Sequence, residues 1–204
     1  MKRIAVLCLA CLFTIVSLMG CGGDGKIVKR GLRELVMADS TLVPGEKLAW
    51  YMAREDFLES PYADDALRAD SEAYDETRVG EMENGMTDYT LKTEIELDTY
   101  KTTAGMMVLF NGEDELIRTT YRVLLPEAEK AKYFDLLNRM AEELDAIQGL
   151  ESVNPELRGF SEGSLEELPV FLIWYCPEND THIELQAMSL MGTLILDTAV
   201  YAEG

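Results

Sequence analysis

The chain has 204 residues, 48% of them hydrophobic and 27% charged, with 38 Asp and Glu against 18 Lys and Arg for a net charge of −20. That balance speaks against nucleic acid, whose phosphates must be neutralised by Lys and Arg, and against a polybasic grip on anionic lipid. The length fits one domain with enough chain to bury its own core.

The first stretch sets the location of the rest. Lys2 and Arg3 form a short positive start, and an apolar run from Ile4 to Met19 is interrupted only by Thr14 and Ser17. A membrane span needs about 20 apolar residues, so this run reads as a secretory signal. The plainer alternative is an uncleaved anchor helix with an incidental cysteine. Leu18-Met19-Gly20-Cys21 has an aliphatic residue, a looser position, a small residue and a cysteine. It resembles the lipobox of bacterial lipoproteins.

The resemblance covers residues 1–21 alone and implies cleavage before Cys21, which then carries a diacylglycerol on sulfur and usually an acylated amine. It also implies a place in the bacterial cell envelope, on the outer side of the inner membrane or at the outer membrane. Gly22, standing where an Asp would retain the protein, favours the outer membrane in a host that has two. The division expected is a signal peptide at 1–20, a lipidated Cys and flexible tether at 21–30, and a single domain at 31–204. Covalent lipid is then the only attached group, and the membrane is a partner through that anchor. Without Lys2 and Arg3 the remainder holds 16 basic residues against 38 acidic ones, a net of −22. Such a domain is repelled by an anionic leaflet and held by its acyl chains, each buried methylene contributing about 0.8 kcal/mol. Cys8 and Cys11 leave with the signal, so Cys176 is the one remaining thiol and no internal disulfide can form.

Leu32, Leu35 and Val36 make a short helical stripe, and Pro44-Gly45 is a break. In 46–58 the residues Leu48, Tyr51, Met52 and Leu58 share one helical face, which predicts a short helix. The acidic stretch 61–88 is read as helical over 62–77 and as a loop from Glu81. Tyr89 to Thr99 alternates apolar and polar residues, the mark of an antiparallel strand with one wet face. Gly105 to Phe110 is a second strand. Asn111-Gly112 signals a hairpin, and Leu116 to Leu125 is the return strand, with Arg118 and Arg122 opposite Thr119, Tyr121 and Val123.

A long helix is predicted over 126–148. Pro126 suits its first turn, and Tyr133, Leu136, Leu137, Met140, Leu144 and Ile147 recur at helical spacing before Gly149 stops it. Such a stripe is core. A surface connection follows. Val170 to Cys176 is apolar on both faces, which predicts a central strand. Strands over 182–189 and 194–201 complete an α+β fold. About six mostly antiparallel strands pack against the long helix 126–148 and the shorter helix 46–58. The order of helix, three strands, helix, three strands repeats a pattern without repeating residues.

Two constellations invite chemistry. A three-residue loop, Glu178 to Asp180, would set Cys176 opposite His182, and a thiolate–imidazole pair supports nucleophilic catalysis. A different loop length moves the two apart. The carboxylates Asp64, Asp65, Asp70, Glu72, Asp75 and Glu76 are oxygen ligands of the type Ca²⁺ takes. Their spacing matches no EF-hand, and a solvated acidic segment is the better reading. His182 is the only His, so a zinc site of the ordinary His/Cys type would need carboxylates for its other ligands. The expected function is therefore a lipid-anchored, non-enzymatic binding or envelope-assembly domain with an envelope protein as partner. The alternative is an anchored hydrolase using acidic residues, with or without a cation.

Overall fold

The computed structural model describes residues 27–32, 36, 50–59, 87–97, 100–178 and 180–202. It is an α+β fold dominated by its sheet, as the alternation of strand and helix patterns predicts. In chain order the elements are β1 (Ile27–Arg30), α1 (Arg54–Glu59), β2 (Thr87–Leu97), β3 (Thr102–Phe110), β4 (Leu116–Pro126), α2 (Lys130–Asp145), β5 (Glu151–Ser152), β6 (Val170–Cys176), β7 (Thr181–Leu190) and β8 (Thr193–Ala202). The sheet runs β1-β2-β3-β4-β8-β7-β6-β5. Six antiparallel strands form its body, with β1 added in parallel at one edge and the two-residue β5 at the other. Two three-stranded meanders, β2–β4 and β6–β8, thus meet back to back where β4 pairs with β8.

Alternation along the paired strands gives the sheet two faces. The first carries Met106, Tyr121, Leu196, Leu185 and Trp174, all buried in one cluster with Tyr133, Leu137, Met140 and Leu144 of α2. The whole predicted stripe of the long helix is buried, and the Tyr133 hydroxyl donates to the Ile195 carbonyl of β8 at 2.8 Å. The helix itself is shorter than expected. Pro126 stays extended (φ −65°, ψ 148°) as the last residue of β4, a 3-10 turn spans Glu127–Glu129, and α2 begins at Lys130. Proline fixes φ at a value that strand and helix share, so it serves a strand end as well as a helix start. Gly149 (φ +93°) takes the left-handed conformation after the helix.

Several expectations need correction. The shorter helix begins at Arg54, not at 46. Residues 50–53 are not helical, because their backbone pairs with the start of β4: Tyr51 N–H donates to the Leu116 carbonyl and Leu116 N–H to the Met52 carbonyl. Ile27–Arg30, counted with the tether in the sequence, pairs beside β2 from Glu94 to Leu97. The Asn111 hairpin is present with a longer turn. Phe110 pairs with Leu116, the positive φ falls on Asp114, and the Asn111 side chain accepts from the Glu113 and Glu115 amides. The 62–77 helix lies outside the described residues, as does the facing of β2 before the buried Leu97.

β6 is not central. Meander connectivity puts β8 next to β4 and pushes β6 outward, where Val170, Leu172, Trp174 and Cys176 are buried and Phe171, Ile173 and Tyr175 are half-buried. Its outer edge is closed by a side chain. Asn154 donates to the Phe171 carbonyl at 2.7 Å and accepts from the Ile173 amide at 3.0 Å, imitating a strand residue. This closes an edge that would otherwise template pairing with another chain. Nearby, Asp145 accepts two hydrogen bonds from Arg158 at 2.9 and 2.8 Å and one from the Trp174 indole at 2.8 Å. The Arg158 bonds, helped by Trp174, hold the Asp145 carboxyl below the usual carboxylate range against the opposing effect of partial burial.

Asn154→Ala orphans the Ile173 amide and the Phe171 carbonyl, and urea denaturation should show a loss of about 1–3 kcal/mol. The Asp145 contacts predict a pH dependence. A folded-state pKa below the unfolded one gives stability that is present above about pH 4 and lost as pH falls through the lowered value. Urea midpoints of the wild type should exceed those of Asp145→Asn at neutral pH and converge with them in acid.

Candidate functional site

The second face of the sheet carries the polar side chains. Register aligns them in rows across the strands. One row runs Gln186, Asp197, Arg122 on β7, β8 and β4. Arg122 and Asp197 are 3% and 1% exposed. The guanidinium Nε donates to one carboxylate oxygen at 2.8 Å and Nη2 to the other at 2.5 Å, a bidentate pair. Gln186 is buried beside them, and its Nε2 has no hydrogen-bond partner. Glu184 and Thr120, in the next row, are also buried.

Toward the strand ends a third row crosses β6, β7, β8 and β4 as Tyr175, His182, Tyr201 and Arg118, all half-buried. The Tyr175 and His182 rings stand 4.8 Å apart, and His182 stacks on Tyr201 at 5.4 Å with planes 13° apart. The Arg118 guanidinium lies 5.2 Å from the centre of the Tyr201 ring and its Nε donates to Thr120 at 3.3 Å. The Tyr175 hydroxyl and Asp180, in the β6–β7 turn, share a hydrogen bond of 2.8 Å. Cation–π and ring contacts thus tie both meanders together on this face.

The thiol–imidazole pair does not form. Cys176 pairs with Thr181 and His182 with Tyr175, because four residues, 177–180, separate the strands. The change of register sends Cys176 into the first-face core, 5% exposed, and His182 to the second face. Cys21 and the carboxylates Asp64, Asp65, Asp70, Glu72, Asp75 and Glu76 lie outside the described residues. Among the described residues no group of three or more His, Cys, Asp or Glu stands close enough to hold a metal ion.

The central pair was missed in the sequence. Arg122 sits at a polar position of an alternating strand, which normally means solvent. The available signal was Asp197, alone within the apolar run Leu194-Ile195-Leu196-Asp197-Thr198-Ala199-Val200. A carboxylate buried there needs a cation, and a strand neighbour with an Arg of the right parity supplies it. Chemically the row is a locked ion pair with rings at its flank, suited to holding strands and presenting a surface. No protein-family model, no curated protein and no solved structure matches this chain.

Removing one partner leaves a buried charge. Arg122→Met should cost about 3–5 kcal/mol in urea unfolding, and the double variant Arg122→Met with Asp197→Leu should recover most of that loss. A single variant as stable as wild type would contradict the pairing.

Proposed function

We propose that the chain is a lipid-anchored cell-envelope lipoprotein whose folded part is a non-enzymatic binding or envelope-assembly domain. The observation that carries this reading is Leu18-Met19-Gly20-Cys21 behind a basic start and an apolar run. The distance from that cysteine to the fold supports it. The first strand begins at Ile27, so six residue steps separate the acylated cysteine from the sheet, a reach of about 20 Å at most. The domain stays next to the bilayer that holds its lipid. Among the described residues no helix is long and apolar enough to cross a membrane.

In this reading the long helix and the stretch holding Trp50, Met52 and Phe57 form one layer over the first face, and the second face contributes to recognition. The row Tyr175, His182, Tyr201 and Arg118 offers rings and a guanidinium, the side-chain types enriched where proteins bind one another. The partner is an envelope protein, and the covalent lipid is the only attached group.

The test is acylation. Labelled palmitate should enter the wild-type protein in a bacterial host and be absent from Cys21→Ala, which should also leave the membrane fraction. A wild type that takes up no label and fractionates like the variant would remove the reading.

A further inference from the structure

The β7–β8 turn breaks a local rule without a packing return. Leu190 pairs with Thr193, so Met191 and Gly192 alone form the turn. Both have positive φ, +50° and +79°. Such two-residue turns take Asn, Asp or Gly, because a larger side chain crowds its own backbone in the left-handed region. Met191 is 91% exposed, the most exposed of the large apolar side chains among the described residues. It therefore accepts the unfavourable conformation and contributes nothing to the core. Backbone outliers cluster at functional sites, so one that no packing explains motivates a functional hypothesis.

Charge separates the two ends of the sheet. At the Met191 end Lys101, Lys130 and Lys132 stand against five glutamates of 127–129 and 162–167. Lys130 pairs with Glu162 at 3.5 Å and Lys132 with Glu129 at 3.2 Å. At the opposite end α1 and the turns 111–115 and 177–180 hold Arg54 against eight carboxylates. The Met191 end is thus the less acidic one. β1 runs toward this end, so its Ile27 start, on the anchor side, is the part of the strand farther from it. Ile27 lies opposite Glu94, three residues or about 10 Å short of the end, a distance within the reach of the six residue steps back to Cys21.

We infer that the Met191 turn enters the boundary between headgroups and acyl chains of the bilayer that holds Cys21, setting the orientation of the domain on the membrane. This rests on the acylated reading above. One exposed thioether side chain is too weak a membrane contact on its own. The anchor converts its insertion into an intramolecular event at high effective concentration. The acidic opposite end then points away from the surface, as repulsion by anionic lipid requires.

The test uses the acylated full chain in vesicles of phosphatidylethanolamine with a minority of phosphatidylglycerol. An environment-sensitive fluorophore is attached to Met191→Cys or, at the opposite end, to Glu178→Cys. Cys176 is buried and Cys21 is blocked by lipid, so labelling is specific to the introduced thiol. Both positions are exposed, and neither substitution touches the core. The label at 191 should shift to the blue and lose emission to nitroxide lipids carrying the quencher near the headgroup, while the label at 178 keeps the emission it has in water. If the protein floats with the vesicles and both labels report water, or both are quenched equally, the orientation is wrong while the anchor stands. A chain that does not float overturns the anchor and this inference together.

Discussion

The pairing of β4 with β8 is the contact on which the molecule depends. Nine residue pairs, from Arg118 with Tyr201 to Pro126 with Thr193, join two meanders that otherwise share little backbone hydrogen bonding. The fifth of these pairs is Arg122 with Asp197, buried and bidentate. An ion pair in that place contributes less to net stability than to choice of register. A slip of one residue would turn every β8 side chain to the other face, put Asp197 into the apolar layer under α2, and leave Arg122 buried alone. The polar row thus excludes the wrong pairings that an apolar ladder of the same length would tolerate.

Both outer edges follow from this arrangement. With β8 at the centre, β6 and β2 become outer strands, and each is covered by a short addition. Asn154 and the two residues of β5 close β6, and β1 lies along β2. Cys176, the free cysteine among the described residues, is buried and forms no disulfide, so hydrogen bonds and packing hold these edges. Trp174, Arg158 and Asp145 do so at one side by tying β6 to the end of α2. On the proposed reading, β1 also links the anchor directly to the sheet, so the lipid holds a rigid body rather than a loose domain on a long leash.

The sequence shows the elements of the fold more clearly than their arrangement. The stripe Tyr133, Leu137, Met140, Leu144 marks the long helix because burial and helical period coincide there. Ile183, Leu185 and Ala187 mark one face of β7 for the same reason. Strand order was hidden, since nothing local distinguishes an apolar strand beside an edge from a central one, and Val170 to Cys176 reads alike in both places. The pairing of residues 51–53 with Leu116 was hidden as well, because apolar spacing in 46–58 suits a helix and the competing contact comes from far along the chain. The site was the least legible part. Cys176 and His182 drew attention by residue type, yet one step of register puts them on opposite faces. The pair that does form joins residues 75 positions apart.

Native-state hydrogen exchange tests the central claim most directly. If the β4/β8 ladder makes one cooperative unit of the two meanders, the amides of 119–125 and 194–200 exchange only through global unfolding, and β3 and β7 open with the same free energy. Distinct opening free energies for the β2–β4 and β6–β8 meanders, with the central ladder exchanging faster than either, would contradict it.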